Sequence, residues 1–153
     1  MTGHTYFLHN TILQPSDGGY GGLGTRTGNR RINNMIAINN ILHVNAEATN
    51  AISDNEAPPT VESFYDYNLH SKPIPVENGP NSIDGIPSYQ YANQFNFGTM
   101  TGRFQPSANS EGVDDGVLIP NFSGDYSGSS PDMGACENDE LDKVYGRQST
   151  SGQ

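Results

Sequence analysis

Apolar positions along this chain fall into short runs separated by turn-forming stretches. The first run is Tyr6-Phe7-Leu8-His9-Asn10-Thr11-Ile12-Leu13, followed by a Gly-rich loop from Ser16 to Asn29. The second is Met35-Ile36-Ala37-Ile38-Asn39-Asn40-Ile41-Leu42, followed by a polar loop that holds Pro58 and Pro59. The third extends from Val61 to Leu69 and contains Phe64-Tyr65-Asp66-Tyr67-Asn68-Leu69, with His70 next in the chain. None has the length or the 3.6-residue period of an amphipathic helix, so the pattern predicts strands. Further on, Pro80, Pro87, Pro106, Pro120 and Pro131 break the chain into short extended pieces and turns. Asp114 to Phe122 offers one more short strand, and the last stretch, 138–153, is a polar tail.

The three runs share a register. Asn10, Asn40 and Asn68 lie 30 and 28 positions apart, each followed by an apolar residue or a Thr-Ile step. A repeat of this length with short strands and no helix points to a β-solenoid. Equivalent side chains would then stack about 4.8 Å apart on neighbouring parallel strands. The three asparagines are expected to form a ladder at the corners, because Asn bonds backbone well and tolerates left-handed backbone. Inward positions would stack Ile on Ile or Phe on Ile. The plain alternative is that these are ordinary loop asparagines.

Composition raises the question of whether such a chain folds. Of 153 residues only 29 are Leu, Ile, Val or Phe, while 17 are Asn and 18 are Gly, and the net charge is −10. Few large apolar residues with high charge are marks of disorder, but a narrow stacked core needs few of them. No apolar run is long enough to span a membrane. The acidic balance argues against a nucleic-acid partner. The acidity is concentrated: residues 77–153 carry three basic and eleven acidic side chains, against four and six in 1–76. Cys136 stands alone, so no intramolecular disulfide is expected, and the first residues carry no secretory signal.

Several segments also resemble the C-terminal part of right-handed parallel β-helix proteins of the pectate-lyase-like superfamily. Phe7-Leu8-His9-Asn10-Thr11-Ile12 is similar to their recurring NNT(I/V) coil, and Ile36-Ala37-Ile38-Asn39-Asn40-Ile41 to the coil that follows. Tyr65-Asp66-Tyr67-Asn68-Leu69 resembles a DYN(L/C) segment of the last coils. Phe104 to Gly116 resembles an L-x-P-x-S-P-x-I-D-x-G stretch, with Ser107-Ala108-Asn109-Ser110 departing from it. Pro131-Asp132-Met133-Gly134-Ala135-Cys136-Glu137 resembles a closing PD(I/M)GAYE signature, with Cys136 in place of the usual aromatic. The resemblance implies an all-β fold: a right-handed parallel β-helix of about three coils with an irregular C-terminal cap. Residues 1–137 would form the coils and closing segment, and 138–153 the tail. Family members carry more coils N-terminal to this part, where their catalytic residues usually lie. The exposed first coil is therefore expected to stack on a partner chain or on a copy of itself.

Candidate chemistry is sparse, and no catalytic residue is assigned. Arg26, Arg30 and Arg31 have the forked donors that bind acidic sugars, set against the plain reading of solvated loop arginines. Tyr20, Tyr89, Tyr91 and Tyr126 sit in loops where aromatic rings stack on sugars, or pack at a rim. His9, His43 and His70 fall near equivalent corners, as a candidate stacked row without zinc-motif spacing. Asp114, Asp115, Asp125, Asp132 and Glu137 are hard oxygen donors of the kind calcium takes, although their spacing is not that of an EF-hand. The resemblance makes Asp114, Asp132 and Glu137 structural acceptors instead. The adjacent pair Asp114 and Asp115 is also the candidate for paired-carboxylate hydrolysis. The Gly18–Gly24 stretch lacks a phosphate-loop ending, and Asn121-Phe122-Ser123 is a lone sequon.

Three function classes follow: an extracellular or cell-surface carbohydrate-associated domain that is not itself catalytic; the C-terminal fragment of a polysaccharide lyase or glycoside hydrolase; and a self-assembling structural or adhesive subunit. The expected partners are a polysaccharide and a stacking chain or homo-oligomer at the N-terminal coil, with no nucleic acid and no membrane span.

Overall fold

The computed structural model describes residues 4–14, 23–24, 26–27, 30–31, 34–44, 51–53, 63–74, 79–90 and 104–140. Among them there is no helix. The strands, in chain order, are β1 (Thr5–Leu8), β2 (Thr11–Gln14), β3 (Leu23–Gly24), β4 (Arg26–Thr27), β5 (Arg30–Arg31), β6 (Met35–Ile38), β7 (Ile41–Val44), β8 (Ile52–Ser53), β9 (Phe64–Asp66), β10 (Leu69–His70) and β11 (Ile83–Asp84). Strands β1, β6 and β9 make a parallel three-stranded sheet with β6 in the middle. Strands β2, β7, β10 and β11 make a parallel four-stranded sheet in that order. A short parallel pair, β3–β8, and an antiparallel pair, β4–β5, complete the set.

Each apolar run is divided into two strands by a corner. His9, Asn39 and Tyr67 have φ of 51°, 57° and 53°, and the asparagine that follows each one returns the chain to extended backbone. The asparagine side chains make the corner tolerable. Asn10, Asn40 and Asn68 each donate an amide proton to the carbonyl two residues earlier, on Leu8, Ile38 and Asp66. That gives the carbonyl a donor where the strand breaks, and Ile38 O takes a second one from His9 N–H at 3.2 Å. The left-handed residue is thus the one before the asparagine, and not the asparagine itself as the sequence suggests. Tyr is unusual there, and such backbone costs about 1–2 kcal/mol for a non-Gly residue.

Period-two alternation then sorts side chains by face. Along β6, Met35 and Ala37 are fully buried while Ile36 and Ile38 are partly exposed. Between the two sheets lie Met35, Ala37, Leu42, Val44, Ala51 and Tyr65, with Phe7, Ile12 and Ile74 packed against them. The inward row of the three-stranded sheet is Phe7, Ala37, Tyr65, so aromatic rings flank a small residue instead of stacking on isoleucine. A second core covers the other face of the larger sheet, where Met133 packs on Ile41 and Leu69 beside Tyr67 and Ile83. Met133 belongs to the turn-rich closing segment, which is sewn on by Gly134 N–H to Asn39 O at 2.8 Å and Ala135 N–H to Thr11 Oγ1 at 3.1 Å.

This architecture corrects the expected right-handed parallel β-helix of about three coils with an irregular C-terminal cap. The described residues form parallel strands in sheets of three and four, and they close no solenoid. A solenoid needs equivalent turns, yet the spacing between successive corner contacts runs 30, 28 and then 14 residues. Strand β11 joins the larger sheet without a companion in the smaller one. The strand expected over Asp114–Phe122 is also absent. Asp114 and Asn121 have φ of 59° and 69°, Pro120 interrupts, and the backbone bonds are turn bonds from Phe122 and Ser123 N–H to Ile119 O and a single bond from Gly116 N–H to Pro131 O.

Candidate functional site

The first corner and the closing segment meet at a cleft of about 100 Å³, lined among others by His9, Ser123, Asp125, Cys136, Glu137 and Glu140. The protonation pattern of His9 follows from its neighbours. The Asn39 carboxamide is held on the backbone of Val117: its Oδ1 accepts from Val117 N–H at 2.9 Å, and its Nδ2 donates to Val117 O at 2.7 Å. That fixes which end is the amide nitrogen. The second Nδ2 proton points at His9 Nε2, 3.0 Å away, so Nε2 accepts and its proton sits on Nδ1. Ser123 Oγ lies 2.9 Å from the same Nε2 and accepts from Ile119 N–H at 2.7 Å. The His9 ring nitrogen and the buried Ser123 hydroxyl thus meet at the cleft, on left-handed backbone.

Glu137 borders this cleft. Its Oε1 accepts from Asp132 N–H at 3.1 Å, while Oε2 is buried with no hydrogen-bond partner among the described residues. Burial, reinforced by the nearby carboxylates of Asp132, Glu140 and Asp139, pushes its carboxyl up to about 7. Asp132 is raised as well, again chiefly by burial, with the bonds from Asp114 and Asn138 N–H acting the other way.

The five acidic candidates are not brought together around a common point. Asp114 Oδ1 receives Ser129 and Ser130 N–H, and Asp132 receives Asp114 N–H on Oδ1 and Asn138 N–H on Oδ2. Asp115 receives Gly112 N–H at 3.3 Å, and Asp125 is exposed at the cleft rim. Among the described residues no three His, Cys, Asp or Glu are placed to hold a metal ion. The three candidate histidines occupy three different register positions and make no row. His9 is at a corner, His43 is level with Leu13, and His70 is level with Leu42. His43 stacks on Tyr89 with ring centroids 5.8 Å apart, and burial lowers the pKa of both His43 and His70.

Of the sugar-binding candidates, Tyr20 and Tyr91 lie outside the described residues. Arg26 faces Arg31 and Arg30 faces Thr27 in the β4–β5 pair, and their side chains lie outside what is described. Tyr89 is packed between His43 and the edge of Phe104, and burial raises its phenol. Tyr126 is 37% exposed. The aromatic surface that does form involves residues the sequence reading overlooked. Tyr6, Ile36 and Phe64 are in register across the outer face of the three-stranded sheet, and Tyr6 and Phe64 are 58% and 48% exposed. His4 lies against Tyr6 with ring centroids 6.0 Å apart. The signal was there in the alternation of Tyr6-Phe7-Leu8 and Phe64-Tyr65-Asp66, once the corner asparagines set the phase.

Comparison with known proteins returns no match: no family model, no curated protein and no solved structure matches the chain.

Proposed function

We propose that this chain is an extracellular or cell-surface carbohydrate-associated domain that binds a polysaccharide without turning it over. The observation that carries the reading is the Tyr6–Ile36–Phe64 row, with two exposed rings on one sheet face. Their strands are two spacings apart, about 9.6 Å, a span comparable to a disaccharide unit. Aromatic faces stack on the C–H faces of pyranose rings and give up little conformational entropy in doing so. A net charge of −10 disfavours a polyanion, so the sugar is a neutral polymer. Affinity electrophoresis against neutral and acidic polysaccharides tests this. At least one neutral polymer should retard the chain, and Tyr6→Ala or Phe64→Ala should weaken retardation about tenfold, with circular dichroism unchanged, because both sites are exposed. Equal retardation of wild type and both variants, or none by any polymer, removes the reading.

A second reading has one observation in its favour. Glu137, raised to about 7, shares a cleft with His9 and Ser123, which supports a hydrolase or lyase role. It requires turnover of a polysaccharide that Glu137→Gln abolishes. Binding without turnover across the same panel leaves the first reading standing alone.

A further inference from the structure

The outer face of the three-stranded sheet selects among sugars by the spacing of its contacts. Tyr6, Ile36 and Phe64 are direct register partners across β1, β6 and β9, with no stagger between them. Their side chains share one face, because Phe7, Ala37 and Tyr65, next in each strand, take the inner one. The row therefore crosses the strands and offers one apolar contact per strand, every ~4.8 Å. Tyr6 and Phe64 are 58% and 48% exposed, and the partly exposed Ile36 lies between them. Two rings thus flank an aliphatic middle contact.

Neutral polar groups border the row. The next register row on the same face is Leu8, Ile38 and Asp66, and it carries no cation. Asp66 is 4% exposed and holds Asn81, whose backbone N–H and Nδ2 donate to Oδ1 and Oδ2 at 3.0 and 2.9 Å. Asn81 is itself exposed. Its second Nδ2 proton and its Oδ1 meet no partner among the described residues, so the carboxamide keeps one donor and one acceptor for a ligand.

We propose that this face takes an extended, neutral β-1,4-linked glycan with all-equatorial hydroxyls, lying across the strands with successive sugar rings over Tyr6, Ile36 and Phe64. The inference rests on the sugar reading above and adds the linkage to it. Equatorial bonds at C1 and C4 keep such a chain straight, and its advance per sugar is close to one strand spacing, ~4.8 Å. Alternate rings turn over, but with every hydroxyl equatorial both ring faces carry only C–H groups, so either face lies on an aromatic or aliphatic side chain. The hydroxyls project sideways in the plane of the rings, where a carboxamide such as that of Asn81 serves them. An α-1,4-linked chain leaves C1 by an axial bond and coils, so it cannot follow three contacts in line.

Calorimetric titration of the full chain with cellobiose, cellohexaose and maltohexaose tests the linkage. Cellohexaose should bind about tenfold tighter than maltohexaose, the worth of one aromatic contact. Cellobiose, too short to cover both rings, should be weaker than cellohexaose by about the same factor. Phe64→Ala should bring cellohexaose down to the cellobiose level. Failure to bind cellohexaose, maltohexaose binding as tightly, cellobiose binding as tightly, or undiminished binding by the Phe64→Ala chain would each overturn the inference. The comparison among sugars uses the unaltered chain and does not depend on how a variant folds. Retention by an α-linked polymer alone removes the linkage and leaves the sugar reading in place, whereas no retention by any neutral polymer removes both.

Discussion

Glu137 shows how one side chain couples the closing segment to pH. Its carboxyl sits near 7 in the folded chain, against an ordinary value of 4.5. Between those values the folded chain holds a proton that the unfolded chain has released. The stability linked to it is fully present below the unfolded value and is lost as pH rises through about 7. Melting temperature should therefore fall from pH 5 to pH 8, and Glu137→Gln should flatten that fall. Asp132 shifts in the same direction, so some slope remains in the variant. Parallel wild-type and variant curves would show that Glu137 does not carry the effect. Little of this is legible in the sequence, where Glu137 is one acid among eleven in its half. Only the turn that buries Oε2 singles it out.

At the level of strands and turns, the corner asparagines differ in how much they hold. Asn40 donates to Phe7 O and Asn68 Oδ1 and accepts both donors of Asn10, all in near-complete burial. Asn40→Ala should cost about 3 kcal/mol and Asn10→Ala about 1 kcal/mol in urea unfolding, because unmet buried groups cost more than exposed ones. Equal costs would mean that the row does not act as a continuous element. The spacing of Asn10, Asn40 and Asn68 is visible in the sequence because a corner asparagine serves its own strand end and the next layer at once. The identity of the left-handed residue is not visible, since His9, Asn39 and Tyr67 share no residue type and Tyr67 is an unusual choice for that backbone. Asp114 to Phe122 reads as a strand by its apolar content. Its Val117 instead pairs with the Asn39 side chain, a contact 78 residues distant that no local pattern encodes. The solenoid reading fails for a similar reason: two evenly spaced intervals look like a period, and the third interval is half as long.

The whole molecule carries ten excess negative charges on few large apolar residues. Self-repulsion of that kind weakens the compact state and is screened by salt, so melting temperature should rise by a few degrees from low to physiological ionic strength. A flat salt response would mean that the acidic side chains are locally compensated. The closing segment adds a constraint of another sort. His9 meets Ser123 across 114 residues, and Thr11 Oγ1 receives Ala135 N–H across 124. Contacts of such range form late, since a large loop must close before they contribute. On a ribosome, Ile41 and Leu69 emerge well before Met133, the residue that covers them. The order of synthesis is thus opposite to the order of shelter. A nascent chain that stops before Met133 exposes a row of bare apolar side chains, a surface that a chaperone would recognise.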